Sequence, residues 1–470
     1  MAKSRPAFVC QSCGARFPKW LGRCPDCGGW NSVVEEAPAP PASVLAFAGR
    51  VQPAAAGGPP AGQTGGAKAE SLVAREREAQ GERISTGLAE VDRVLGGGLL
   101  EGTVALLGGD PGIGKSTLVL QMLDRAGSRG IPALYISGEE SAAQIRDRAR
   151  RLGLTGRNVH LLAEVELEAM GPEIQRLAPR LIAIDSIQTV RAGEQDAPPA
   201  GTVTQVRACA AQFIQLAKTS GACVLLIGHV TKEGALAGPR ALEHMVDVVL
   251  YLEGEDSRPQ RLLRCVKNRF GGVQEIGVFR MTAEGLSPVD NPSALFLRER
   301  SLGAPGTVVF PGMEGTRPLL IEIQALVGDG STAYPRRTAA GIDPNRVALL
   351  QAVVEKHLGL SLAGLDVFVN VVGGLRLAEP ALDAAVIAAL LSSARRKPID
   401  PLTVVFGEVG LTGELRGVGF TAERLAEAAR LGFTRALMPS LKAAGAPLPL
   451  PQGLEALPVG SVGELAEALG

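Results

Sequence analysis

The chain is short of aromatic residues, which fill only 4% of its 470 positions. Lysine is likewise far scarcer than arginine; both biases read as codon usage and assign no function. Net charge is absent, with 48 Lys and Arg balancing 48 Asp and Glu. That excludes a globally basic nucleic-acid binder, so any contact with nucleic acid must come from local patches. No apolar run approaches the roughly 18 residues that a membrane span needs. The polar N-terminus reaches Cys10 without the apolar stretch of a signal peptide. A cytoplasmic protein with no membrane partner is therefore expected. The hydrophobic content of 46% against 20% charge belongs to a soluble chain with a sizeable core. The length allows two or three domains.

The most informative segment comprises Gly109, Asp110, Pro111, Gly112, Ile113, Gly114, Lys115, Ser116 and Thr117. Its Gly-x4-Gly-Lys-Ser spacing is that of a phosphate-binding loop. The apolar run Thr103–Leu107 precedes it, and a helical pattern of Leu118, Leu120, Met122 and Leu123 follows. Glycines let backbone N–H groups turn inward around a phosphate, and the helix N-terminus adds partial positive charge. Lys115 is placed to reach the β- and γ-phosphates of ATP, and the Ser116 hydroxyl to take a position on Mg²⁺.

Two further strands support this reading. Leu181-Ile-Ala-Ile-Asp185 is an apolar run ending in a carboxylate, the Walker B pattern, and Asp185 is expected to help hold Mg²⁺. Ala133–Ile136 runs into Ser137, Gly138, Glu139 and Glu140. One of the two glutamates can orient and deprotonate the water that attacks the γ-phosphate. The other suits a helix N-terminus, where acids oppose the dipole. Glu139 is the preferred base.

Cys10, Cys13, Cys24 and Cys27 form C-x2-C-x10-C-x2-C, two knuckles able to set four thiolates around Zn²⁺. Disulfides are the alternative, but a cytosolic chain disfavours them. A segment too small for a core of its own also fits a metal staple better. Cys209, Cys223 and Cys265 lie in apolar patterns and read as core residues.

Composition then divides the chain. Residues 1–34 hold the zinc finger, and 35–70 are an Ala/Pro/Gly-rich linker. From 71 to 290, strands at Val104–Leu107, Ala133–Ile136, Leu181–Ile184, Val224–Ile227, Val248–Leu252 and Leu262–Val266 alternate with helices such as Val203–Thr219. This predicts an α/β fold with a mainly parallel sheet covered on both faces. Residues 291–303 read as a connector, and 304–470 as a second α/β unit. Its expected strands are Leu319–Ala325, Asp366–Val372 and Leu402–Glu408, and its helices Asn345–His357, Leu382–Ser393 and Ala422–Arg430.

Zinc knuckles, a RecA-type ATPase core and the pentapeptide Lys267, Asn268, Arg269, Phe270 and Gly271 occur here in one order. That combination resembles the RadA (Sms) family of bacterial DNA recombination and repair proteins over nearly the whole chain except the linker. The resemblance implies a hexameric, DNA-dependent ATPase that binds single-stranded and branched DNA and promotes branch migration alongside the RecA recombinase. It places a γ-phosphate sensor at His229, although a lone histidine at a strand end is commonly just hydrogen-bonded. It also places the DNA-channel loops at Arg191–Gly201 and Lys232–Pro239, with Arg191, Lys232 and Arg240 as phosphate contacts or, equally, solvated loop charges.

In the pentapeptide two cations flank an amide just past a strand. Such cations suit phosphates of DNA or the γ-phosphate of a nucleotide bound by a neighbouring subunit; a surface turn with solvated charges is the alternative. The C-terminal unit resembles the proteolytic domain of the Lon family, whose Ser–Lys dyad falls here on Ala381 and Ala422. Methyl groups cannot perform that chemistry, so a scaffold for ring assembly or DNA binding is expected, with Arg395, Arg396 and Lys397 as a basic patch or a solvated helix end. Against the leading reading stand a KaiC-like signalling ATPase, to which the knuckles and pentapeptide are foreign, an ATP-dependent peptidase, and a passive zinc-linked adaptor.

Overall fold

The computed structural model describes residues 7–10, 15–26, 28–30, 32–36, 83–192, 199–228, 242–254, 258–273, 275–328, 335–440 and 450–470. The chain divides into two compact units, Met1–Val289 and Asp290–Gly470.

Near its start the first unit carries a small antiparallel sheet of β1 (Ala7–Cys10), β2 (Arg16–Phe17) and β3 (Val33–Glu36), ordered β2-β1-β3. Its buried cluster consists of Cys10, Cys24 and Val33, with Phe8, Phe17 and Leu21 packed partly against it.

The rest of the unit is a nine-stranded sheet ordered β12-β11-β10-β9-β4-β8-β7-β5-β6. The strands β4 (Val104–Gly109), β5 (Ala133–Ser137), β7 (Leu181–Asp185) and β8 (Cys223–Ile227) are buried along their whole length. Continuous apolar runs of this kind are what parallel strands covered on both faces require. Strands β9 (Val248–Glu253) through β6 (Val159–Ala163) run parallel to one another. An antiparallel meander of β10 (Gln260–Asn268), β11 (Ile276–Thr282) and β12 (Gly285–Pro288) extends one edge. The expected mainly parallel α/β sheet is therefore present, with this meander added.

Side-chain alternation feeds the two faces. Ala133 and Tyr135 join one buried cluster with Leu118 and Phe279, while Leu134 and Ile136 join the other with Phe213 and Leu226. Helix α2 (Lys115–Ser128) covers the first face, and α5 (Val203–Ser220) covers the second. Thr202 caps α5 by accepting from the Gln205 N–H, and Gly221 ends it in the left-handed region. Between β4 and β5 in space lie β8 and β7, so the chain leaves β4, skips two strand positions to β5 and later turns back to fill them with β7 and β8. Such a reversal opens a crevice at the carboxyl ends of the strands, where α/β folds bind ligands.

In the second unit a seven-stranded mixed sheet runs, in spatial order, through Arg337–Ala340, Val367–Val371, Arg317–Val327, Thr307–Glu314, Thr403–Val405, Arg435–Pro439 and Glu455–Val459. The long hairpin of β13 (Thr307–Glu314) and β14 (Arg317–Val327) forms its centre. The helix Asp383–Ala394 is apolar on all sides and almost wholly buried, as its position under the sheet demands. The stretch 291–303, read above as a connector, holds the helix Pro292–Leu297, capped by Asn291. Ser293 is buried there, its hydroxyl donating to Glu427 at 2.6 Å and accepting from the Leu320 N–H at 3.1 Å. That segment is thus packed structure of the second unit; a hydrogen-bonded serine leaves no apolar trace in a sequence.

Ala381 is buried in a short 3-10 turn, Pro380–Leu382, and Ala422 lies in the first turn of the helix Thr421–Arg430. Flanking them, the buried Arg424 forms an ion pair with the partly exposed Glu379. Arg424 also donates to the carbonyls of Pro311 at 2.6 Å and Gly419 at 3.1 Å, and stands over the rings of Phe310 and Phe406. Glu379 accepts from the Met313 N–H at 2.7 Å. In the basic run, Arg395 donates to the Ala466 carbonyl and Lys397 to the Gly470 carbonyl. Both cations thereby sit at the C-terminal end of the helix Val462–Leu469, where the dipole favours them. Among the described residues no helix is long and apolar enough to cross a membrane.

Candidate nucleotide site

The carboxyl end of β4 turns directly into α2 through the glycine-rich loop. At Gly109 φ is +149°, and a Cβ there would lie 2.5 Å from the Leu252 carbonyl oxygen. At Gly114, the N-cap of α2, φ is +115° and a Cβ would meet Met281 at 2.7 Å. Both positions therefore require glycine for close approach as well as conformation. Arg261, buried on β10, supports the loop from outside by donating through Nε to the Ile113 carbonyl at 3.2 Å.

Lys115 opens α2 and is 3% exposed. Its Nζ donates to the carbonyls of Gly109 at 2.8 Å and Asp110 at 2.9 Å, inside the arc of the loop. Burial pushes its pKa down, and the carboxylates of Asp185, Asp110 and Glu139 pull it back up. The loop thus concentrates donors and positive charge at the mouth of the crevice.

Asp185 ends β7 and is almost fully buried. It accepts a hydrogen bond from the Tyr135 hydroxyl on the neighbouring strand β5. The peptide between Asp185 and Ser186 is cis. The Ser186 hydroxyl donates to Glu139 Oε1 at 2.6 Å. Glu140 turns the other way and pairs with Arg148 of helix α3 (Ala142–Arg151). Its N–H donates to the Ser137 hydroxyl at 3.0 Å. So the structure brings Lys115, Asp185 and Glu139 together and leaves Glu140 to α3. Tyr135, Ser186, Arg148 and Arg261 were not singled out from sequence. Only the hydroxyl of Tyr135 inside an apolar strand hinted at a polar task.

The other expected site residues are distributed differently. His229, Lys232 and Arg240 lie outside the described residues. Arg191 is exposed, its backbone pairs with Val165 and Leu167, and its guanidinium faces Glu166 at 3.9 Å. In the pentapeptide, Lys267 and Asn268 belong to the end of β10, after a register shift between Cys265 and Lys267. The expected position just past a strand is thus moved inward, because the bulge lengthens β10. Lys267 Nζ donates to the carbonyls of Glu243 at 2.6 Å and Val246 at 2.8 Å. Its partial burial, and then Arg269, lower its pKa. Arg269 is half-exposed and pairs with Asp247 at 3.2 Å. Asn268 Oδ1 accepts from the Phe270 N–H, which sets the turn at Gly271. One cation therefore clamps backbone while the other faces outward.

Of the four knuckle cysteines, Cys13 and Cys27 lie outside the described residues. Cys10 and Cys24 are fully buried, and the Cys10 thiol donates to the Ser32 hydroxyl at 3.3 Å. The turns after them are closed by Cys10 N–H to Ala15 and Gly28 N–H to Cys24 bonds. Two buried cysteines at the centre of so small an apolar cluster, within the C-x2-C spacing of the sequence, fit a thiolate metal centre better than a hydrophobic core. Cys209, Cys223 and Cys265 are buried instead among core residues, and burial raises their thiols to about 12, 11 and 11, which makes them inert.

The family described as AAA domain matches residues 73–235, and the family described as rubredoxin metal binding domain matches residues 8–35. A protein of Pseudomonas aeruginosa named DNA repair protein RadA is 48% identical over 470 residues, all of both chains. One of the same name from Bacillus subtilis is 46% identical over 466 residues, 99% of this chain and 98% of that one. Among solved structures, a KaiC-like protein of Pyrococcus horikoshii matches at 19% identity with a TM-score of 0.37, covering 44% of this chain and 99% of that one.

Proposed function

This chain belongs to the RadA family of DNA repair proteins, and from that premise we propose that it is a DNA-dependent ATP hydrolase that drives branch migration during homologous recombination. The observation that carries the proposal is the convergence of Lys115, Asp185 and Glu139 at the carboxyl ends of the parallel strands β4, β7 and β5. In this reading the Lys115 ammonium exchanges its two carbonyl acceptors for phosphate oxygens. The loop N–H groups hold the same phosphates, and Ser116 and Asp185 offer the hard oxygen donors that a magnesium ion requires. Magnesium would supply positive charge against the phosphates when bound. Glu139 receives the proton of the attacking water. Ser186 fixes the orientation of that carboxylate, whereas Glu140 is spent on Arg148. Cys10, Cys13, Cys24 and Cys27 hold one zinc ion. The working form is a hexamer in the cytoplasm, acting on single-stranded and branched DNA with RecA.

The two glutamates give a direct comparison. Glu139→Gln is expected to bind ATP normally and hydrolyse it about 10²- to 10⁴-fold more slowly, the usual contribution of a positioned base. Glu140→Gln should lose no more than a few-fold, since its ion pair is half-exposed and weak. Single-turnover rates for the pair decide it, and a slower Glu140→Gln reverses the assignment.

The pentapeptide should separate activities. Arg269→Ala removes the outward cation and Lys267→Ala releases the carbonyls of residues 243 and 246. ATP and DNA should still bind to both variants while branch migration fails, because hydrolysis is no longer relayed between subunits and DNA. Solvated charges would change little. Wild-type branch migration in both variants would remove the pentapeptide from the mechanism. The reading as a whole is tested by ATP turnover with and without single-stranded DNA, with assembly size measured in the same samples. DNA-independent turnover by a monomer contradicts it.

A further inference from the structure

Tyr135 is completely buried at the centre of β5, yet its hydroxyl reaches the polar end of the site. There it donates to the Asp185 carboxylate. A phenol carries one proton, and Asp185 when ionised offers only acceptors, so that proton is committed to the carboxylate and fixes its orientation at the end of β7.

We propose that Tyr135 is a positioning residue for the divalent cation that accompanies the nucleotide, holding the Asp185 carboxylate in the orientation that receives it. This rests on the nucleotide-site reading above and adds to it the residue that sets how well the cation is held. Groups that orient a metal's ligands fix their geometry and polarise their donor atoms. The ring itself belongs to the apolar cluster beneath α2, so the phenyl group and the hydroxyl have separable tasks.

Tyr135→Phe removes the hydroxyl and keeps the ring, so the sheet should remain packed. In the full chain, binding of a fluorescent ATP analogue is titrated with Mg²⁺ and repeated in EDTA, with thermal melting recorded alongside. The Mg²⁺ concentration for half-maximal binding should rise about tenfold, at the low end of what loss of an orienting partner costs a metal site. Affinity in EDTA should match wild type, because the loop N–H groups and Lys115 are untouched. A Mg²⁺ midpoint within twofold of wild type, with only the melting temperature lowered, makes Tyr135 a satisfied core residue and overturns the proposal. Equal loss of affinity with and without Mg²⁺ overturns it too, since the hydroxyl would then support the loop rather than the cation. Lys115→Ala, run in parallel, separates the two readings. If it leaves nucleotide affinity unchanged, the loop is not the site; if it weakens binding while Tyr135→Phe is normal, only the role of Tyr135 falls.

Discussion

Replacing Lys115 with alanine is expected to lower ATP turnover about a thousandfold or more, equivalent to some 4 kcal/mol of transition-state stabilisation. The magnitude follows from where the ammonium sits. It is buried at the foot of the loop, so its charge acts through protein rather than water, and removing a single preorganised donor at such a place costs on the order of 10²–10³ in rate. The charge that builds between the β- and γ-phosphates then has no cation of the chain's own beside it. The fold should survive, because alanine is the best helix former for the start of α2, and the two released carbonyls lie at the mouth of the crevice within reach of water. Steady-state turnover, with melting measured on the same sample, checks both parts. Turnover within a few-fold of wild type would mean that this loop is not where hydrolysis occurs.

Stripping zinc should have the other large effect, and it should be local. Residues 8–36 bury only Cys10, Cys24 and Val33 among the described residues, far too little to offset the entropy of ordering the segment. Structural zinc sites of this kind carry apparent binding energies of about 10–16 kcal/mol, which serve as folding energy. A chelator should therefore release one zinc per chain and unfold the ribbon, seen as full amide exchange there with protection of the nine-stranded sheet unchanged. Protein that contains no zinc as purified, or a ribbon that stays protected after chelation, excludes the metal centre. Basal ATP turnover should be unaffected, since the residues gathered at the nucleotide site come from β4, β5, β7 and α2.

The parts of this architecture that could be read from sequence are those where one physical demand dominates. Strands β4, β5, β7 and β8 announce themselves because burial on both faces leaves only apolar residues at every position. Lys115 and Asp185 were legible because loop and strand end sit in fixed order along the chain. Strand β6 escaped notice because an edge strand with half-exposed residues carries no unbroken apolar run. The meander β10–β12 had no such signal either, beyond its first strand. The division of labour between Glu139 and Glu140 depends on Arg148 and Ser186, which lie eight and 47 residues from their partners. No local pattern encodes such pairings. The clamp formed by Lys267 was hidden for the same reason: its acceptors are main-chain carbonyls, which every sequence has.

The pair Glu379–Arg424 bears on how far the second unit tolerates change. Next to the two alanines stands a guanidinium held by a carboxylate, two carbonyls and two aromatic rings. Losing Glu379 alone would leave a buried guanidinium without its counter-charge, the costly way to break such a pair, whereas losing Arg424 leaves a carboxylate that keeps contact with solvent. The asymmetry makes the arginine the anchor and the glutamate its dependent, so substitutions around Ala381 and Ala422 are constrained first by what they do to Glu379.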